Sequence, residues 1–136
     1  MVSVIIDTNI FLDIFTQDPV WFDWSNEKLE KLTDAKTSLI INSIIYTELS
    51  IGFSSLAELD NALTIFNLKF EDPDNSALFS AGKAFLKYRA SKGTKSNVLP
   101  DFFIGAHADS AGYKILTRDV GRYSLYFPGV SLISPN

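Results

Sequence analysis

The 136-residue chain is 46% apolar and 21% charged, a composition that suits one folded domain over residues 1–136 and sets aside disordered and fibrous classes. It contains no cysteine, which excludes disulfides, thiolate metal sites and a cysteine nucleophile. The net charge of −4 is not that of a general nucleic-acid coat, yet it hides an asymmetry: residues 1–74 carry thirteen acids and four bases, residues 75–136 eight bases and three acids.

Val2–Ile6 is a short apolar, β-branched run and reads as a strand buried on both faces, followed by a short helix from Asn9 to Phe15. Asp18-Pro19 offers a cap and a first-turn proline for a helix to about Ala35, with Phe22, Leu29 and Leu32 on one face. Leu39–Ile41 reads as a second strand. Ser43 can cap a helix from Ile44 to about Ile51, ended by Gly52, and Ser55 with Glu58 has the spacing of a capping box for a helix to about Phe66. Leu68–Phe70 is a third strand; Asp72-Pro73 opens a long helix to about Ser91, closed by Gly93. Pro100-Asp101 opens another helix to about Ala111, after which Gly112 releases the chain into a strand over Lys114–Thr117, with a fifth at Val130–Ile133. Strands separated by helices imply right-handed crossovers, hence a three-layer α/β class with a parallel sheet of four to five strands and helices on both faces. No repeat and no membrane span is visible: the longest charge-free stretch, residues 123–136, is broken by Pro128 and falls short of the about 20 residues a bilayer needs. The N-terminus has no basic region leading into a long apolar run, so a cytoplasmic location is expected.

Ligands of such sheets bind beyond the carboxyl ends of the strands, where the strand order reverses. Asp7 follows the first strand and Asp119 the fourth, so a reversal between those two strands makes them neighbours. Asp101 starts the helix that feeds the fourth strand. Glu48 lies about one turn into the helix after the second, among Ile44, Ile45, Leu49 and Ile51, where an unpaired carboxylate is costly. Four carboxylates gathered there repel one another, by about 4 kcal/mol for a pair about 4 Å apart at an effective dielectric near 20, so a cation is expected to be caged among them. An all-oxygen donor set, in a chain with His107 as its single histidine and no cysteine, favours Mg²⁺ or Mn²⁺ over zinc, and such an ion can activate water and hold a phosphodiester for in-line hydrolysis. Taken singly, Asp101 can instead serve the helix dipole and Asp119 a turn.

Between Asp74 and Asp101 there is no acid, while Lys83, Lys87, Arg89, Lys92 and Lys95 fall in that interval; together with Arg118 and Arg122 they form either a phosphate-attracting patch or a solvated helix face. Trp21, Phe22 and Trp24, three aromatics within four residues, are either core or an anchor for a partner chain. His107, Asp109 and Asp13 read as surface or supporting residues, His107 as packed rather than catalytic.

Ile5-Ile6-Asp7-Thr8-Asn9, Tyr46-Thr47-Glu48-Leu49, Leu99-Pro100-Asp101 and Leu116-Thr117-Arg118-Asp119, in that order and spacing, resemble the PIN-domain family and, more narrowly, the VapC-type toxins of prokaryotic toxin–antitoxin pairs. The resemblance spans essentially the whole chain, including Tyr126-Phe127-Pro128-Gly129. It implies a Rossmann-like parallel sheet and a Mg²⁺- or Mn²⁺-dependent endoribonuclease whose acidic quartet is Asp7, Glu48, Asp101 and Asp119, with Thr8, Asn9 and Thr117 orienting those acids or the water. It also implies a structured RNA substrate of the tRNA or ribosomal RNA class, a homodimer, and a small antitoxin reaching into the site. One departure stands out: many relatives have Asn where Asp119 stands and an acid where this chain has Arg122. Two other readings compete: a non-catalytic Mg²⁺-dependent phosphate- or nucleotide-sensing module, and a PIN nuclease of RNA maturation without an antitoxin. The first lacks paired acids after the first strand, since Asp7 is followed by Thr8 and Asn9; the short chain without appended modules weighs against the second.

Overall fold

A computed structural model describes residues 2–91, 93 and 98–135. β1 (Ser3–Ile6) buries three of its four residues, as a strand covered on both faces requires. It is the centre of a five-stranded parallel sheet in the order β3-β2-β1-β4-β5, with β2 (Ser38–Ile41) and β3 (Leu68–Phe70) on one side and β4 (Lys114–Leu116) and β5 (Leu132–Ile133) on the other. Val4 pairs with Leu39 on one flank and Lys114 on the other, and Ile6 with Leu116. The strand order therefore reverses between β1 and β4, the two strands that Asp7 and Asp119 follow.

Among the described residues seven helices complete the three-layer α/β arrangement: α1 (Thr8–Phe15), α2 (Phe22–Asp34), α3 (Ser43–Ser50), α4 (Leu56–Leu63), α5 (Asn75–Ala90), α6 (Leu99–Ala111) and α7 (Gly121–Tyr126). The main core joins Val4, Ile5 and Ile6 to Ile40, Ile115 and the inward residues Ile10, Phe11, Ile45, Leu49 and Ile104. A second cluster binds α5 to α6 through Ala77, Ala81, Phe102 and Ala106, closed by Phe127. Close approach there depends on Gly105, where a Cβ would lie 2.3 Å from the Phe127 ring. Gly112 ends α6 in the left-handed conformation, φ 75°, which an L side chain adopts only at a cost, and turns the chain into β4. No helix among the described residues is long and apolar enough to cross a membrane.

Three helix starts differ from the sequence expectation for one reason: the side chain expected to cap has another bond to make. Asp18 accepts from the backbone N–H groups of Val20 and Trp21, at 2.8 and 2.9 Å, shaping a turn ahead of α2 rather than capping it. Asp72 reaches across to the Ser43 N–H and hydroxyl, at 2.7 and 2.6 Å, which leaves Asp74 to cap α5 through the Ala77 N–H. Asn42, not Ser43, caps α3, accepting from the Ile45 N–H at 3.0 Å. α4 ends at Leu63 rather than Phe66. α7 has no counterpart in the sequence expectation; it is six residues long and its start carries no side-chain cap.

Candidate active site

Asp7 caps α1, accepting from the Thr8 N–H at 2.8 Å, and its own N–H reaches the Leu116 carbonyl across the β1–β4 seam at 3.0 Å. The remaining carboxylate oxygen, Oδ2, accepts from the Thr117 hydroxyl at 2.8 Å and from the Tyr123 phenol at 3.0 Å. Asn9 Nδ2 stands 3.4 Å from both Asp7 Oδ2 and Thr117 Oγ1, and Thr117 Oγ1 in turn accepts from the Asp119 N–H at 3.0 Å. Asp7 is thus fixed from three stretches of chain and 5% exposed, yet every donor to it is neutral.

Glu48 is half-buried and receives the Thr8 hydroxyl at 2.7 Å. Asp101, in the first turn of α6, is half-buried and receives Arg122 Nε at 3.0 Å. Asp119 is exposed, its Oδ1 3.4 Å from the Gly121 N–H. The acids feel one another. Burial, only partly offset by the Thr117 and Tyr123 hydrogen bonds and reinforced by the charges of Asp101 and Glu48, pushes the Asp7 carboxyl up to about 7. Glu48 is raised by burial, against the Thr8 hydrogen bond and together with Asp101. Asp101 is raised by burial, against Arg122 and together with Asp119. The phenol of Tyr123 rises well above its ordinary range through burial and then the charges of Asp7, Asp101 and Glu48, so it remains a donor at any physiological pH.

Four carboxylates were expected to form a tight cage. Among the described residues, however, no three His, Asp or Glu side chains stand close enough to hold a metal ion as they are. Each carboxylate has its own partners: Asp7 receives Thr117 and Tyr123, Glu48 receives Thr8 and Asp101 receives Arg122. The donor set still fits a hard divalent cation. It is all oxygen, its innermost carboxylate has no cationic partner, and the buried Asn9 Oδ1 beside it has no hydrogen-bond partner among the described residues. Mg²⁺ in particular is held by one or two carboxylates with the rest of its shell water, which does not demand a preformed cage.

The basic residues separate. Arg118, expected on a phosphate-facing surface, is instead committed to Asp13, with Nε 2.8 Å from Oδ2 and Nη2 2.9 Å from Oδ1, while its guanidinium lies 5.4 Å from the Trp21 ring. Asp13, read from sequence as surface or supporting, is 1% exposed and also receives the Ser25 hydroxyl at 2.7 Å. Arg122 is in the acid site. Lys83 and Lys87 line an open groove between α5 and α7 with Leu125 and Tyr126; Lys83 lies over Phe79 at 5.0 Å and Arg89 over Phe85 at 5.9 Å. Lys92 and Lys95 lie outside the described residues. Of the three aromatics, Trp24 packs on the main core, the first of the two readings; Trp21 stands edge-on to it, and Phe22 is half-buried at the start of α2.

Sequence reasoning missed Tyr123 and Asn42. Tyr123 sits on a helix too short to show a periodic pattern, and its phenol could not be aimed at Asp7 without knowing that α7 ends up beside the residue that follows β1. Asn42 is fully buried, with Nδ2 3.0 Å from His107 Nδ1. His107 is packed as expected, with Nε2 3.5 Å from Glu71 Oε2 and its pKa lowered by burial, against the charge of Glu71.

Residues 4–127 match a family model described as the PIN domain. No curated protein matches the chain significantly in sequence. Solved structures of similar fold include VapBC2 from Rickettsia felis bound to a DNA fragment from its promoter, at 21% identity and TM-score 0.74 over 98% of this chain and 99% of that one. DNA-bound VapBC from Salmonella typhimurium is similar at 23% identity and TM-score 0.67, over 98% of each chain. FitAcB from Neisseria gonorrhoeae is similar at 18% identity and TM-score 0.65, also over 98% of each.

Proposed function

The chain belongs to the PIN domain family, and from that premise we propose that it is a Mg²⁺- or Mn²⁺-dependent endoribonuclease, the toxin of a toxin–antitoxin pair. The observation that carries the reading is the state of Asp7: buried, held by four neutral groups, and raised to about 7 with Glu48 and Asp101 adding to the rise. Capping α1 uses only Oδ1 and calls for no second acid nearby, whereas a site that loads a cation uses the whole arrangement. Asp7, Glu48 and Asp101 would hold the ion, with Asp119 at the exposed rim. A bound divalent ion supplies the positive charge that acidifies a water and polarises the phosphodiester.

This chain's own residues do the rest. Thr117 and Tyr123 fix the direction of Asp7 Oδ2, Thr8 does the same for Glu48 Oε1, and Asn9 supports both Asp7 and Thr117. Glu48, half-buried and raised, would be the base that takes the proton of the attacking water. The water oxygen forms the new P–O bond as the P–O bond to the ribose oxygen breaks, and the ribose oxygen leaves as a hydroxyl with a proton taken from solvent. The likeness to the VapBC structures supports a small antitoxin as partner, while a homodimer and an RNA substrate of the tRNA or ribosomal class follow from the family resemblance alone.

Incubation with total RNA and Mg²⁺ or Mn²⁺, with and without chelator, tests the reading. Discrete fragments that vanish with chelator, and that Asp7→Asn and Glu48→Gln do not produce, are expected. Fragments that persist in chelator or in both variants overturn it.

A further inference from the structure

We infer that Arg122 is a phosphate ligand of this site, parked on Asp101 until a divalent ion takes that carboxylate; the inference rests on the nuclease reading above. Two arginines follow β4 and they are held differently. Arg118 places two nitrogens on the two oxygens of buried Asp13 and rests against Trp21, so its fork is used up. Arg122 makes a single hydrogen bond, Nε to Asp101 Oδ2 at 3.0 Å, and among the described residues its Nη1 and Nη2 make none. Its side chain is 28% exposed and its guanidinium lies 6.0 Å from the Tyr88 ring, which restrains the plane without occupying the donors. α7 therefore delivers two adjacent residues to two adjacent acids: the phenol of Tyr123 to Asp7 and the guanidinium of Arg122 to Asp101.

A planar guanidinium whose two N–H₂ ends have no partner among the described residues matches two oxygens of a phosphate, a geometry that lysine cannot offer. Arg122 uses only Oδ2 of Asp101, so an ion can load through Oδ1; it then draws charge from the carboxylate and weakens its hold on Arg122. Ion and RNA binding are then coupled, and the coupling is reciprocal: a phosphate that draws Arg122 off Asp101 also strengthens the ion's hold.

The test uses the 136-residue chain, Mn²⁺ alone, and a phosphorothioate oligoribonucleotide. By calorimetry without RNA, Arg122→Gln binds Mn²⁺ about two- to fivefold more tightly than the native chain, the scale of a partly exposed ion pair, whereas Arg122→Lys stays near the native value. By fluorescence anisotropy, Arg122→Gln weakens oligoribonucleotide binding about tenfold or more when Mn²⁺ is present and far less in chelator, and Arg122→Lys recovers only part of the loss. Equal Mn²⁺ affinity in the native and Gln proteins, or an equal loss of RNA affinity with and without Mn²⁺, overturns the inference. If the native chain cleaves no RNA, the nuclease reading fails by itself, while the Mn²⁺ comparison still decides whether Arg122 competes for Asp101.

Discussion

Asp7 and Asp13 sit at the two ends of α1, both nearly inaccessible to water, 5% and 1% exposed. Asp13 is closed on by a guanidinium through both oxygens and by a serine hydroxyl. Asp7 is given only neutral donors and two acidic neighbours. The fold answers one buried charge in full and leaves the other unanswered a helix length away. Burial alone thus says little about function; a buried charge without a countercharge says much more, because stability by itself would have removed it.

The comparison breaks most visibly in activity. Asp7→Asn is expected to lower RNA cleavage about 10³-fold, about 4 kcal/mol in the barrier, while Asp13→Asn, assayed well below its melting temperature, stays within about tenfold of the native rate. Stability should show the opposite order. Arg118→Leu strands Asp13 in the core; allowing for the 30% exposure of Arg118, this costs about 2–3 kcal/mol and lowers Tm by roughly 5–12 °C in a thermal melt.

Asp7→Asn, by contrast, should raise stability in chelator. A carboxyl at about 7 in the folded state against 3.8 ordinarily means that the folded chain binds the extra proton between those values, so native stability falls as pH rises from about 4 through about 7 and the loss is complete above that. At pH 8 the Asn variant should be about 1–3 kcal/mol more stable than the native chain, and at pH 4 about equal. An advantage that is the same at both pH values would place its origin elsewhere. The smallest effect sharpens the edge of the site: Asp119 is exposed and makes one long contact, so Asp119→Asn should change the cleavage rate by less than about tenfold, below about 1.4 kcal/mol.

Much of this frame is legible in the sequence. Val4-Ile5-Ile6 can only be a strand covered on both sides, and Leu68–Phe70 and the end of α6 at Gly112 fall where turn chemistry and periodicity put them. What sequence cannot decide is choice among partners. Asp18, Asp72 and Ser43 are all competent caps, and only tertiary neighbours determine that they bond elsewhere. The same holds at the site. Asp7 and Glu48 stand out because an acid beside apolar residues is conspicuous, whereas Arg118 and Arg122, four positions apart, have identical charge and differ only in which aspartate the fold sets before them. Tyr123 carries no signal in the chain, since an aromatic near the C-terminus is indistinguishable from core until its hydroxyl is seen on Asp7.

The unanswered charge of Asp7 is tested most directly by the thermal unfolding of the native chain at pH 8 as Mn²⁺ is added. A ligand bound only by the folded state raises stability by about 2.7 kcal/mol at a hundred times its Kd, so Tm should climb by several degrees in the native protein and stay flat in Asp7→Asn. A native Tm indifferent to Mn²⁺, or an equal rise in both proteins, would contradict a cation site built around Asp7.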